Sequence, residues 1–390
     1  MVHRILSCGI AFPCLLLSSC WAQQASDKPD LPVFESVNLE MQRFVDEGQI
    51  SGAVTLVGHG GKLVHLGAVG SSDLESGNKM QTFKMFSIAS MTKPVTATAV
   101  MILQDEGKLN IDDKVSTYLP EFKNVKLKEG SAPKREITIR DAITHTSGLA
   151  GNQVFDSSLK AAVDQLATRP LSFDPGTRWQ YSPGLNVAGR IVEIVAEKPF
   201  EEFVDERIFT PLQMNNTTFF PTEKQQARLA SIYRMDDKTK ALAVTDNRIV
   251  DPSSVKGANP SGGLFSTARD LFRFYQMILS GGQLRKGDRI VSREAIKQMT
   301  SPQTGALLTG FTPGNSWGLG WCIVRKPQGV TEALSPGTYG HGGAFGTQGW
   351  VDPETQTIYV LMIQRADLPN SDGSEIRKSF HKSASEALGL

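Results

Sequence analysis

A chain of 390 residues with 40% hydrophobic residues is long enough for a sizeable core and two or so domains. Its 41 basic side chains are balanced by 40 acidic ones, which excludes the basic footprint of a nucleic-acid-binding protein. Cys8, Cys14 and Cys20 lie in or beside the amino-terminal segment, and Cys322, in an apolar run, is expected to be a buried thiol, so no disulfide framework is available to the body of the chain.

Arg4 precedes an apolar run, Ile5 to Leu17, and then small residues, the pattern of a secretory signal peptide over residues 1–22 rather than of a spanning helix. Cleavage after Ala22 would leave Gln23 first. Leu17-Ser18-Ser19-Cys20 also resembles a lipobox, which would leave a lipid anchor on Cys20. Either outcome makes the protein secreted or periplasmic, with no membrane span. Val33 to Glu47 reads as an amphipathic helix with Val37, Met41 and Val45 at four-residue steps. Residues 53–58 and 62–69 are apolar and β-rich, with a hairpin turn at His59-Gly60-Gly61. No metal-type spacing accompanies His59 or His65, and no metal or organic cofactor is expected.

The stretch Phe86-Ser87-Ile88-Ala89-Ser90-Met91-Thr92-Lys93-Pro94 carries the chemistry. Val95, Ala99 and Ile102 keep helical spacing behind it, and Gly107 ends the run. Pro94 fits only a first turn, because it has no N–H to donate. Ser90 therefore sits at or just before the helix start, and Lys93 lies one turn along on the same face. A hydroxyl, an amine able to take its proton and the N–H groups of a helix start are the parts of an activated serine. The same residues also suit an ordinary cap and a solvated lysine, so the spacing alone does not decide.

Beyond Asp112–Leu119, a short turn or helix, comes the charged segment Lys123–Arg135. The run Ile137–Leu149 then reads as a short helix ending in a tight turn at His145-Thr146-Ser147-Gly148. Helical patterns follow at Ser158–Thr168, Leu185–Glu197 and Phe200–Ile208, and later at Thr267–Leu279, Ser292–Met299 and Asp372–Leu388. Trp317–Val324, Gly346–Asp352 and Thr357–Gln364 read as strands, the last two joined by a hairpin. Strands near both ends imply one discontinuous α/β sheet domain, residues 23–110 and 255–390, into which a mainly helical domain, 111–254, is inserted. The fold class is α+β: a mainly antiparallel sheet flanked by amino- and carboxy-terminal helices.

Several stretches in this order resemble the penicillin-recognising serine hydrolases, in particular the branch of class C β-lactamases and family VIII esterases. They are Ser90-Met91-Thr92-Lys93, Ile139–Leu149, Pro175-Gly176-Thr177-Arg178-Trp179-Gln180-Tyr181-Ser182, Ser261–Asp270, Trp317–Gly320 and Tyr339–Thr347, within a resemblance covering about residues 35–388. It implies a β-lactamase/transpeptidase-like fold, with Ser90 as acylated nucleophile, Lys93 as its proton partner and Tyr181 as a proton shuttle. For Tyr181 to act as a base, a cation such as Lys93 must lower its pKa from about 10. His341 would bind or polarise substrate and tune Tyr181. Gly342 and Gly343 allow close backbone approach, and the N–H groups of Ala344 and Ser90 would form an oxyanion hole. His145 is expected to brace the wall.

Two departures stand against the β-lactamase pattern. No asparagine follows Tyr181 by two places, Asn186 lying further on, and position 341 is histidine where those enzymes carry lysine. Both favour a carboxylesterase-like hydrolase of small-molecule esters. A β-lactamase or D-Ala-D-Ala-type peptidase is the alternative, and a non-catalytic module binding cell-wall fragments is the alternative of another class.

Overall fold

A computed structural model of the chain describes residue 1 and residues 34–151, 158–245, 255–284 and 287–390. The signal-peptide reading, with Cys8, Cys14 and Cys20, lies outside the described residues. Among those described, no helix is long and apolar enough to cross a membrane.

Helix α1 (Glu35–Asp46) buries Val37, Met41 and Phe44. Phe44 takes the third inward position that the four-residue spacing gave to Val45. The strands β1 (Gly52–His59) and β2 (Lys62–Asp73) form the expected hairpin, its turn made by Gly60 and Gly61 at φ +55° and +77°. After β3 (Asn78–Lys79) and the two-residue β4 (Phe86–Ser87), a single 3₁₀ turn, Ala89–Met91, leads into α2 (Thr92–Asp105).

Every residue of α2 from Thr92 to Leu103 is buried, so it is a central helix rather than an amphipathic one. Its threonines are accommodated by internal partners: Thr92 Oγ1 donates to the Ala89 oxygen at 2.7 Å and Thr96 Oγ1 to the Pro260 oxygen at 2.7 Å.

The following stretch holds α3 (Val115–Tyr118), α4 (Ile139–Ile143), α5 (Leu159–Ala167), α6 (Gly184–Ala196), α7 (Phe200–Val204), α8 (Thr210–Leu212) and α9 (Glu223–Gln226). Helices α4 and α5 start on the side-chain caps Thr138 and Ser158. The helix read over Phe200–Ile208 breaks into α7 and a π turn, Asp205–Phe209. A short hairpin, β5 (Tyr233–Met235) with β6 (Leu242–Val244), escaped the sequence pattern because each arm has only three residues.

Strand β7 (Phe265–Ser266) pairs with β4 and ties the segment before Ser90 to the chain after Ser261. Then come α10 (Ala268–Leu279), α11 (Arg293–Met299), β8 (Asn315–Trp317), β9 (Cys322–Val324), β10 (Tyr339–Gly342), β11 (Gln348–Asp352), β12 (Thr357–Met362) and α12 (Glu375–Leu388).

The large sheet is antiparallel throughout, in the order β3-β2-β1-β12-β11-β10-β9-β8. Its middle is the pairing of β1 with β12, from Val54 opposite Met362 to His59 opposite Thr357. One face packs on α1 and α12, and α2 and α10 belong to the core on the other.

Two expectations are corrected. Trp317–Val324 is not one strand but a tight hairpin, because Gly320 at φ +74° reverses the chain and Gly318 N–H donates to the Trp321 oxygen at 2.8 Å. The last helix begins at Glu375 rather than Asp372, because the Ser374 hydroxyl accepts the Arg377 N–H and fixes the start there.

The hairpin at Gly320 presses on the helix that carries Lys93. A Cβ at position 320 would lie 2.7 Å from the Ala97 Cβ and 3.1 Å from the Lys93 oxygen. Gly320→Ala combines that overlap with a left-handed backbone. It should destabilise the protein by roughly 1–3 kcal/mol, read as a lower urea midpoint with unchanged slope. An unshifted midpoint would show that the hairpin is free to move off α2.

Candidate active site

Ser90 sits on the 3₁₀ turn at the head of the buried helix, held from both sides. Ile88 N–H donates to the Leu264 oxygen at 3.0 Å, and Gln364 Nε2 to the Ser87 oxygen at 2.9 Å. The preceding Ala89 has φ +43°, a left-handed conformation that costs a non-glycine residue about 1 kcal/mol. This strain turns the chain so that Ser90 faces the cleft while its neighbours Ala89 and Met91 are buried.

Lys93 Nζ lies 3.1 Å from Ser90 Oγ and donates to the Ser261 oxygen at 2.6 Å. It is 2% exposed, and burial brings its pKa from 10.5 down to about 7, against the opposing pull of Asp372. A substantial neutral fraction is thus available near neutral pH. In that form the amine lone pair can accept the Ser90 proton while an N–H still holds Ser261.

Tyr181 lies on the other side of the serine. The neighbouring Ser90 hydroxyl acts to lower its pKa, and Lys93 Nζ is 4.5 Å from its ring centroid. The expectation that a cation lowers the tyrosine is corrected. Burial dominates and drives the phenol above its ordinary value, and the lysine beside it is itself only partly charged near neutral pH. Tyr181 is therefore held protonated, as a donor, and Lys93 is the stronger candidate for the base.

His341 lies on β10 in the same chamber, its ring 6.1 Å from that of Tyr181. Nδ1–H donates to the Gly342 oxygen at 2.6 Å, and burial lowers the imidazole pKa to about 3. The ring is neutral, so it polarises or packs but supplies no positive charge to lower Tyr181. Gly343 runs against the Ser90 turn: a Cβ there would meet the Ile88 oxygen at 2.6 Å. The exposed Ala344 follows it, which brings the backbone of residues 343–344 beside residues 88–90.

His145 has φ +63° and is fully buried. Its Nδ1 accepts the Ser182 N–H at 3.1 Å, and its ring lies 4.5 Å from Tyr181 and 5.0 Å from Trp317. This is the contact of a brace: it fixes the loop that carries the tyrosine. Among the described residues Cys322 is a free, buried cysteine, its thiol pKa raised by that burial. Among the described residues, no group of three or more His, Cys, Asp or Glu is placed to hold a metal ion.

The Beta-lactamase family model matches residues 37–381. The chain belongs to the β-lactamase family. It is 34% identical over 352 residues to Protein Rv1367c of Mycobacterium tuberculosis (strain ATCC 25618 / H37Rv), covering 82% of this chain and 87% of that one. It is 30% identical over 359 residues to esterase EstB of Burkholderia gladioli, again with 82% and 87% coverage. Among solved structures, EstCE1, a hydrolase with promiscuous acyltransferase activity, superposes with a TM-score of 0.77 at 23% identity, covering 90% of this chain and 98% of that one. The architecture is thus the β-lactamase/transpeptidase-like α+β fold, in a family of hydrolases whose members include an esterase and a penicillin-binding protein.

Two parts of this β-lactamase-family site were left open by the sequence. Asn186, on α6, accepts the Ser261 N–H on its Oδ1 at 2.8 Å. It therefore fixes the carbonyl that Lys93 grips, although it is wrongly spaced for the asparagine of the family pattern. The second part is the loop of residues 305–314. Phe311 packs edge-on to Tyr181 at 5.1 Å and to Trp179 at 5.9 Å between ring centroids, so the loop forms an apolar wall of the cleft.

The buried amine sets the pH dependence. With Lys93 as base, activity requires its neutral form, so kcat/KM should rise with pH to a plateau above about 7. Lys93→Arg, which stays charged, should lose about 10²–10⁴-fold. A limb near the ordinary lysine value in a pH–rate profile would remove Lys93 from that role.

Proposed function

We propose that this chain is an exported serine hydrolase that cleaves carboxylic esters through an acyl-enzyme on Ser90. The observation that carries the reading is the desolvated Lys93 amine 3.1 Å from Ser90 Oγ, with the Tyr181 ring 4.5 Å from the same amine. In the first step Ser90 Oγ adds to the ester carbonyl carbon and its proton passes to Lys93. The carbonyl electron pair moves onto oxygen, against the N–H groups of Ser90 and Ala344. Collapse of this adduct breaks the bond to the alcohol oxygen. That oxygen leaves with a proton from Tyr181, which Lys93 replaces. Water then adds to the acyl carbonyl by the same route in reverse, and the acid departs as the serine O–H is restored.

An ester is favoured over a β-lactam by the edge formed by β10. It offers a neutral imidazole, its Nδ1 committed to the Gly342 oxygen, where a cation would hold a substrate carboxylate. Similarity to esterase EstB supports the same choice. The apolar wall of Trp179, Phe311 and Trp317 suits an acyl or alcohol group of small to medium size.

Side-by-side turnover tests this. A short-chain p-nitrophenyl ester should be cleaved and a chromogenic cephalosporin cleaved poorly, with Ser90→Ala reducing ester turnover by about 10³-fold or more. Fast cephalosporin turnover would make the protein a β-lactamase, and saturable binding of cell-wall fragments without turnover of any ester would make it a binding module. For export, the mature amino terminus read by mass spectrometry should be Gln23 or a lipidated Cys20. An intact terminus at Met1 in the functional protein would overturn that part.

A further inference from the structure

The carboxylate of Asp372 lies against Gly342, the residue that follows His341 on β10. It belongs to the 3₁₀ turn Ser371–Gly373 ahead of α12, where sequence periodicity had placed it inside the helix. Three contacts hold the turn. Asp372 N–H donates to Asn370 Oδ1 at 3.1 Å, Asn370 Nδ2 donates to the Phe311 oxygen at 2.9 Å, and Arg377 Nη1 donates to the Asp372 main-chain oxygen at 2.6 Å. The side chain itself lies over Gly342. A Cβ on Gly342 would fall 1.7 Å from Asp372 Oδ1, so the carboxylate occupies the space of the side chain that residue 342 lacks. Gln348, opposite Gly342 in the ladder, donates Nε2–H to the same oxygen at 3.3 Å.

The position matters because Gly342 stands between His341, in the catalytic chamber, and Gly343, which leads to the candidate oxyanion N–H of Ala344. Burial raises the Asp372 pKa, and Arg377 opposes that rise, its charge favouring the carboxylate without bonding to it directly. Its Nη1 is used on the main chain, and its Nε and Nη2 have no hydrogen-bond partner among the described residues. The field of the carboxylate reaches the reaction centre, where it opposes deprotonation of both Lys93 and Tyr181.

We propose that Asp372 is a specificity-determining residue that disfavours substrates bearing a carboxylate near the reacting carbonyl and favours esters that carry an ammonium group there. The inference rests on the hydrolase reading of Ser90. Like charges about 6 Å apart at an effective dielectric of about 20 interact strongly enough to change binding by about tenfold or more, and opposite charges gain correspondingly.

Boronic acids, which add reversibly to a nucleophilic serine, test this without requiring turnover. Phenylboronic acid and its meta-carboxy and meta-aminomethyl derivatives are titrated calorimetrically into the full protein, into Asp372→Asn and into Ser90→Ala. The wild type should bind the ammonium probe about tenfold or more tighter than the carboxylate probe, and Asp372→Asn should shrink that ratio to about threefold or less. Raising the salt to about 1 M should shrink the ratio in the wild type as well, a readout that needs no variant to fold. Equal affinities in the wild type, or a ratio that survives both Asp372→Asn and salt, would overturn the role of Asp372. Absence of boronate binding, or affinities unchanged in Ser90→Ala, would overturn the Ser90 reading itself and the specificity proposal with it.

Discussion

The site depends on one unfavourable act of burial, the removal of the Lys93 amine from water. Bringing its pKa from 10.5 to about 7 corresponds to roughly 5 kcal/mol of lost proton affinity. That loss is tolerable only because the neutral amine is not left unpaired. The Ser261 oxygen takes one N–H, and Asn186 fixes that oxygen by accepting the Ser261 N–H. The helix beneath is buried on all sides, so it cannot roll to return the lysine to solvent. A base of suitable strength thus follows from packing: the more rigid and dry α2 is, the better matched the amine becomes to neutral pH.

The same dryness divides labour between the two proton-handling groups. Burial disfavours the charged form of each, which pushes an amine down and a phenol up. Lys93 and Tyr181 therefore move toward the state in which both are neutral, the amine able to accept and the phenol able to donate. Ser90 Oγ accepts from the lysine and acts on the phenol as well. His341 and His145 extend the pattern, since burial keeps each imidazole neutral. The chamber gains shape from its rings and gains charge only when a proton moves. The geometry is maintained at some cost in backbone strain, at Ala89 before the nucleophile and at His145 beneath the tyrosine.

Much of the framework was legible because it is written in local code. Helix spacing placed Ser90 and Lys93 on one face, and the glycine pair Gly60-Gly61 marked the β1–β2 hairpin. What failed was of two kinds. Short elements such as β5 and β6 have too few residues to show a period, and the reversal at Gly320 was hidden in an apolar run that alternates like a strand. The rest was non-local. Ser261 is 168 residues from Lys93, and Asn186 is 75 residues from Ser261, so no spacing could connect them. The expected cation effect on Tyr181 failed for a different reason. It set the lysine's charge against nothing, whereas burial of the phenol outweighs any neighbour and also takes away part of the lysine's charge.

The edge at β10 shows how such a site can change substrate without changing its chemistry. Position 341 places a neutral ring where a cation would attract a carboxylate, and the glycine at 342 opens a space that Asp372 fills from the turn before α12. The serine, lysine and tyrosine sit on elements that these two positions do not carry. Charge at the edge can therefore be reversed while the Ser90–Lys93 distance and the Ser261 clamp stay as they are. The coupling that does remain is electrostatic. Asp372 holds the Lys93 pKa up against burial, so a charge chosen for its effect on substrate also bears on the strength of the base. Substrate preference and working pH are linked in this fold through the field at one strand edge.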